Sequence, residues 1–136
     1  MIRIFNLEKE FHGDRGTLQV LKGINLRVAE GSLYTLLGPS GCGKTTTLRS
    51  VAGLEKPTRG EIHLGNNIVF SSDKKVSVPA ENREIGMVFQ SYAIWPHMTV
   101  LENVMYPLEA KKMIPAERRK RALEVLERVG LTAYAH

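Results

Sequence analysis

The chain has 136 residues, 43% of them hydrophobic and 24% charged, which bounds it to one modest globular domain and excludes collagenous, low-complexity and disordered classes. No apolar run approaches the roughly 18 residues of a membrane span, and the N-terminus MIRIFNLEKE lacks the apolar centre of a secretory leader, so a cytoplasmic protein is expected. The formal charge of +5 gathers in Lys111, Lys112, Arg118, Arg119, Lys120 and Arg121, but Glu117–Arg121 and Glu124–Arg128 stand at helix-pair spacing, which reads as a solvated helix face with no nucleic-acid partner.

Residues 2–9 read as a first strand, followed by a polar turn, FHGDRGT. Residues 19–28 alternate Val20, Lys22, Ile24, Leu26 and Val28 on one face, a half-buried strand. The apolar run 32–37, ending at Gly38, suits a strand covered on both faces. A helix is predicted over 44–52, with Gly53 as its stop. Strands near 61–64 and 67–70 flank Gly65-Asn66, a hairpin signal, and residues 71–84 are polar and hold Pro79, hence a loop. Residues 85–89, IGMVF, form another strand of the doubly buried kind, and 90–97 a loop. Thr99 with Glu102 makes a capping box for a helix over 100–110. Pro115 opens a last helix, which runs to about Val129 with Gly130 after it and an apolar stripe of Leu123, Leu126 and Val129.

Gly38-Pro39-Ser40-Gly41-Cys42-Gly43-Lys44-Thr45 fits G-x-x-x-x-G-K-[ST] between a predicted strand and a predicted helix, the context in which this spacing makes a phosphate-binding P-loop. Glycines let main-chain N–H groups turn inward around phosphate oxygens, and the helix beginning at Lys44 adds its positive end. Lys44 would neutralise the β- and γ-phosphates of ATP, and the Thr45 hydroxyl would ligate Mg²⁺, a cation that prefers oxygen; Thr46 follows in the same turn. Cys42 would sit beside the phosphates as a small residue. As the chain's one cysteine it excludes an internal disulfide, and no histidine near it in sequence could make it a nucleophile. His12, His63, His97 and His136 show no metal-ligand spacing.

Gly86-Met87-Val88-Phe89-Gln90, followed by SYAIWPHMTVLENV, resembles the Q-loop region of ABC-transporter nucleotide-binding subunits, most closely importer subunits of sugar, polyamine, sulfate or ferric-iron systems. The resemblance implies an α/β fold: a P-loop NTPase core of the RecA type (32–60 and 85–90), an antiparallel β subdomain (1–31 and 61–84) and the start of a helical subdomain (98–136). By motif match Gln90 takes the place of the glutamine that reaches Mg²⁺ and the attacking water, and Phe11 that of the aromatic that stacks on adenine after the first strand, with Val20 on the base's other side. Tyr34 is a poorer candidate, being inside the predicted buried strand. Tyr92, Ile94 and Trp95 are implied to dock a membrane-spanning permease subunit, with a second nucleotide-binding subunit completing a head-to-tail dimer on the inner face of the plasma membrane.

Hydrolysis in such enzymes also needs an apolar run ending in Asp, a following Glu, an LSGGQ-type string and a switch histidine. Asp14 and Asp73 are the chain's two aspartates, neither follows an apolar run, and no LSGGQ-like string occurs. The expectation is an N-terminal piece of an importer ATPase that cannot hydrolyse ATP alone. A guanylate-type nucleoside-monophosphate kinase shares the G-P-S-G-x-G-K string and is the alternative, as is a non-catalytic remnant; the 37 residues before the P-loop count against the kinase. The transported substrate is not written in this sequence.

Overall fold

The computed structural model describes residues 1–14, 16–91 and 94–135, and the chain divides into two compact units, Met1–Met87 and Val88–His136.

The first unit is an antiparallel sheet with one helix. Strand β1 (Ile2–Gly13) pairs with β2 (Gly16–Val28) on one side and β3 (Arg59–Leu64) on the other; β4 (Asn67–Ser71) and the two-residue β5 (Val76–Ser77) extend the sheet in the order β2-β1-β3-β4-β5. The hairpin around Gly65-Asn66 forms as predicted. The first hairpin is longer than predicted: Phe11 pairs with Leu18 and Gly13 with Gly16, so the polar stretch 11–17 is mostly strand. Its glycines and threonine disguised a ladder that pairing with β1 completes.

Irregular register between Ile4 and Leu7, with Asn6 at φ 44°, lets both residues enter one core although strict alternation would put them on opposite faces. The Asn6 main-chain N–H donates to Asn25 Oδ1 at 3.0 Å, and Asn25 Nδ2 donates back to Asn6 Oδ1 at 2.9 Å. Gly60, at φ 99°, passes so close that an added Cβ would lie 2.5 Å from the Asn6 carbonyl oxygen. The core holds Ile4, Leu7, Leu21, Val51, Ile62, Val69 and Phe70. Leu21 is its member from β2, whereas the predicted face of Val20, Ile24, Leu26 and Val28 is half-buried. Next to Gly60 on β3, His63 and then Lys74 hold the pKa of the Glu61 carboxyl down at about 2.

Helix α1 (Lys44–Ala52) matches its predicted bounds and stops at Gly53, φ 82°, whose N–H bonds back to the last turn. Beneath that end lies Arg83, 6% exposed. Its guanidinium donates to the carbonyls of Ser50 (2.7 Å), Val51 (2.9 Å), Val78 (2.8 Å) and Val69 (3.5 Å), and burial lowers its pKa from the ordinary arginine value. A fixed fork of donors suits this cluster of carbonyls as an ammonium would not.

Two predicted strands do not form as strands. Residues 32–37 and 85–89 belong to no ladder, and Leu33 (96% exposed), Leu37 (88%) and Val88 (97%) face solvent instead of lying covered. Their apolar composition suits a strand, but a strand of the doubly buried kind is held by neighbours on its edges, and among the described residues neither segment has one. Tyr34 is correspondingly half exposed, and the loop 71–84 contains β5 and a 3-10 turn at Ala80–Asn82.

The second unit is helical. Thr99 and Glu102 form the predicted capping box at the start of α2 (Val100–Ala110). Helix α3 (Pro115–Arg128) opens on Pro115 and is followed by Gly130 at φ 71°. Leu101, Ala122, Leu126 and Ala135 make its core, and the Leu101 N–H donates to the Ala135 carbonyl at 3.0 Å. Val129, predicted on the apolar stripe, is exposed. Glu117 and Arg121 pair at 2.8 Å, and Arg118 reaches Glu109 at 3.1 Å.

Candidate functional site

The glycine-rich loop lies where β2 meets the start of α1. Gly38, Gly41 and Gly43 have φ of 153°, 81° and 93°, conformations that side-chain-bearing residues resist. Gly43 is tightest: an added Cβ would stand 2.8 Å from Leu21 Cδ2 and 3.2 Å from the Val20 carbonyl oxygen. The loop thus passes close to Val20 and Leu21 of β2.

Lys44 opens α1 and folds back over the loop, its Nζ donating to the carbonyls of Gly38 and Pro39, each at 2.7 Å, with Cys42 Sγ 3.5 Å away. Among the described residues no side chain caps the start of α1 and no acidic residue stands in its first turn. Its leading N–H groups are thus left for an anion, beside an ammonium already drawn over the loop. Thr47 serves the fold instead: it is buried, and its hydroxyl donates to the Gly43 carbonyl at 2.9 Å. Ser40 and Thr45 are exposed and Thr46 is half-buried. The Thr45 hydroxyl, a hard oxygen open to solvent, fits Mg²⁺ by its chemistry.

Phe11 lies within β1 and not on the loop after it, a correction that follows from the longer hairpin. The residue is 40% exposed, and its ring carries the Lys9 ammonium 4.6 Å above its centroid. The chain-order reading missed Lys9. The signal was present, because residues two apart on a strand share a face, but the predicted strand stopped at Lys9.

In the second unit Gln90 and Ile94 are exposed. Trp95 is 48% exposed; its main-chain N–H donates to Asn103 Oδ1 at 2.8 Å and its ring lies 5.8 Å from that of Tyr106 on α2. So Trp95 packs on the helix with part of its ring and leaves part bare. Tyr92 lies outside the described residues.

The profile of the ABC transporter family matches residues 21–136. The chain belongs to the ABC transporter family. Among relatives of this ABC chain are the trehalose/maltose import ATP-binding protein MalK of Thermococcus litoralis, 46% identical over 131 residues, and the Fe(3+) ions import ATP-binding protein FbpC of Brucella abortus, 50% identical over 131 residues; each alignment covers 96% of this chain and 34% of the relative. The spermidine/putrescine import ATP-binding protein PotA of Thermobifida fusca is 44% identical over 130 residues, covering 96% of this chain and 32% of the relative. The chain thus spans about a third of the length of the curated relatives it matches. Its fold is similar to the solved post-hydrolysis dimer of the ATP-binding cassette MJ0796 bound to ADP and Pi, with TM-score 0.85 and 36% identity over 99% of this chain and 60% of that one. The ABC assignment fits the P-loop and the α/β architecture, and the guanylate-type kinase alternative finds no support. No described helix is long and apolar enough to cross a membrane.

Proposed function

We propose that this chain carries the ATP-binding part of an ABC importer's energy-coupling ATPase. The observation that carries the reading is the P-loop: three glycines at positive φ, an uncapped helix start and Lys44 held over the loop. Residues Gly38 to Thr46 would wrap the phosphates, with Lys44 answering the β- and γ-phosphate charge and Thr45 presenting a ligand to Mg²⁺. Mg²⁺, held there by the Thr45 hydroxyl, would supply positive charge to offset that of the phosphate oxygens. Phe11 and Val20 would hold the adenine, and Gln90 would reach the metal and orient the attacking water.

In this reading the β subdomain comprises 1–31 and 61–84, the P-loop core 32–60 and 85–90, and the helical subdomain starts at 98. Tyr92, Ile94 and the bare part of Trp95 would meet a membrane-spanning permease subunit, which would hold the protein at the inner face of the membrane. A second nucleotide-binding subunit would present its LSGGQ-type string across a head-to-tail dimer, and these 136 residues alone, lacking the Asp, Glu and switch histidine, would bind ATP without turning it over. The relatives named for import and the dimeric cassette support this reading.

The test is ATP-analogue binding by the Lys44→Ala chain. Loss of a charge-assisted phosphate contact is expected to cost about 1.5–3 kcal/mol, with unchanged helix content. Equal affinities in the two forms would remove the P-loop assignment.

A further inference from the structure

We infer that Lys9 is a positioning residue for nucleotide binding: it closes one face of the Phe11 ring and presents the other to the base. The inference rests on the proposed stacking role of Phe11 and adds the group that prepares it.

Three contacts hold the Lys9 ammonium. It pairs with Glu55 Oε1 at 2.6 Å, donates to the Lys56 carbonyl at 2.8 Å and stands 4.6 Å over the Phe11 ring centroid. Its side chain is 13% exposed, so the cation is fixed and largely shielded from water. Glu55 and Lys56 follow the cap of α1, where the Leu54 and Glu55 N–H groups both return to the Arg49 carbonyl. The neighbouring ladder is pinned to the same loop, since the Thr58 N–H donates to the Glu8 carbonyl at 2.8 Å and the Glu10 N–H to Thr58 Oγ1 at 2.9 Å. One lysine thus ties the far end of the phosphate-loop helix to the aromatic ring on β1.

Two physical effects follow. A ring already held by a cation loses less rotamer freedom when a base stacks on it. The cation also draws on the ring's electron density from one side, which favours an electron-rich purine on the other. An uncharged side chain of the same length would keep the strand but release the ring.

The experiment titrates the chain with ATP and, separately, with inorganic tripolyphosphate, which has the phosphates and no base. Lys9→Met is expected to weaken ATP about three- to tenfold, the range of a shielded cation–aromatic contact, and to leave tripolyphosphate unchanged. Lys9→Arg should restore most of the loss, and Lys9→Met added to Phe11→Leu should change nothing further. Equal weakening toward both ligands, or full additivity with Phe11→Leu, would mean that Lys9 serves only the fold and would overturn the inference. Unchanged ATP affinity in Lys9→Met, with a loss in Phe11→Leu, would overturn the role of Lys9 while leaving Phe11 at the base; unchanged affinity in both variants would remove both. Should Lys9→Met fail to fold, Glu55→Gln loosens Lys9 without removing it; a smaller loss confined to ATP supports the inference, and an equal loss toward both ligands overturns it.

Discussion

Helices α1 and α2 begin in opposite ways. At α2, Thr99 Oγ1 accepts from the Glu102 N–H at 3.2 Å while Glu102 Oε2 accepts from the Thr99 N–H at 2.7 Å, so side chains and an acidic charge close the helix start. At α1 the capping position is Gly43, which has no side chain to offer, and the residue that follows is a cation. Both starts must satisfy the same orphan N–H groups. The helix that closes its own start gains local stability. The helix that leaves it open is stabilised elsewhere, here by Val51 in the core and Arg83 under its last turn.

That contrast can be broken from either side. The largest effect is expected at Gly43→Ala, where the side chain would have to hold φ near 93° against the Val20 carbonyl. The strain is about 1–3 kcal/mol, and because it reshapes the loop, ATP affinity should fall together with the midpoint of a thermal melt; retention of both would mean that the glycine is not required. At α2 the expected effect is smaller and confined to stability. Thr99→Ala should cost about 1 kcal/mol in a denaturant titration followed by circular dichroism, and ATP affinity should not move.

The smallest effect concerns acid. The Thr99 N–H, then the Thr99 hydroxyl, hold the pKa of Glu102 below its ordinary value of 4.5. A carboxyl lowered on folding contributes fully above its unfolded value and loses that contribution as pH falls through the folded one. Helix content should therefore decline below the ordinary glutamate range in the parent chain, and Glu102→Gln should flatten that part of the curve. A curve of the same shape in both would separate the capping box from the acid response.

These helix starts were legible in the sequence because their determinants are local. Gly43 next to Lys44, Thr99 three residues before Glu102, and Pro115 with Gly130 lie within a turn of what they control. The segments 32–37 and 85–89 differ from the strands expected of them for the converse reason. Their apolar side chains state that they suit a covered strand, but pairing depends on another segment, and none of the described residues supplies it. Phe11 shows the same limit in reverse, since glycine and threonine suggested a turn while pairing of β1 with β2 made a strand. Of the candidate site, the loop with Lys44 was legible because it is one contiguous motif, whereas the Lys9 contact with Phe11 was hidden because it needed the longer strand.

The Arg83 guanidinium has a consequence for the order in which this protein assembles. It joins carbonyls of residues 50, 51, 69 and 78, so it ties down a helix end made some thirty residues earlier in the chain. During synthesis the last turn of α1 can find its glycine cap at once, but the carbonyls of Ser50 and Val51 meet this donor only after β3, β4 and Arg83 itself have emerged. Contacts between residues far apart in sequence form late and slowly. The helix that carries the phosphate loop is therefore locked by a residue near the end of its own unit, and a nascent chain halted before residue 83 would carry the complete P-loop motif on a helix without its Arg83 lock.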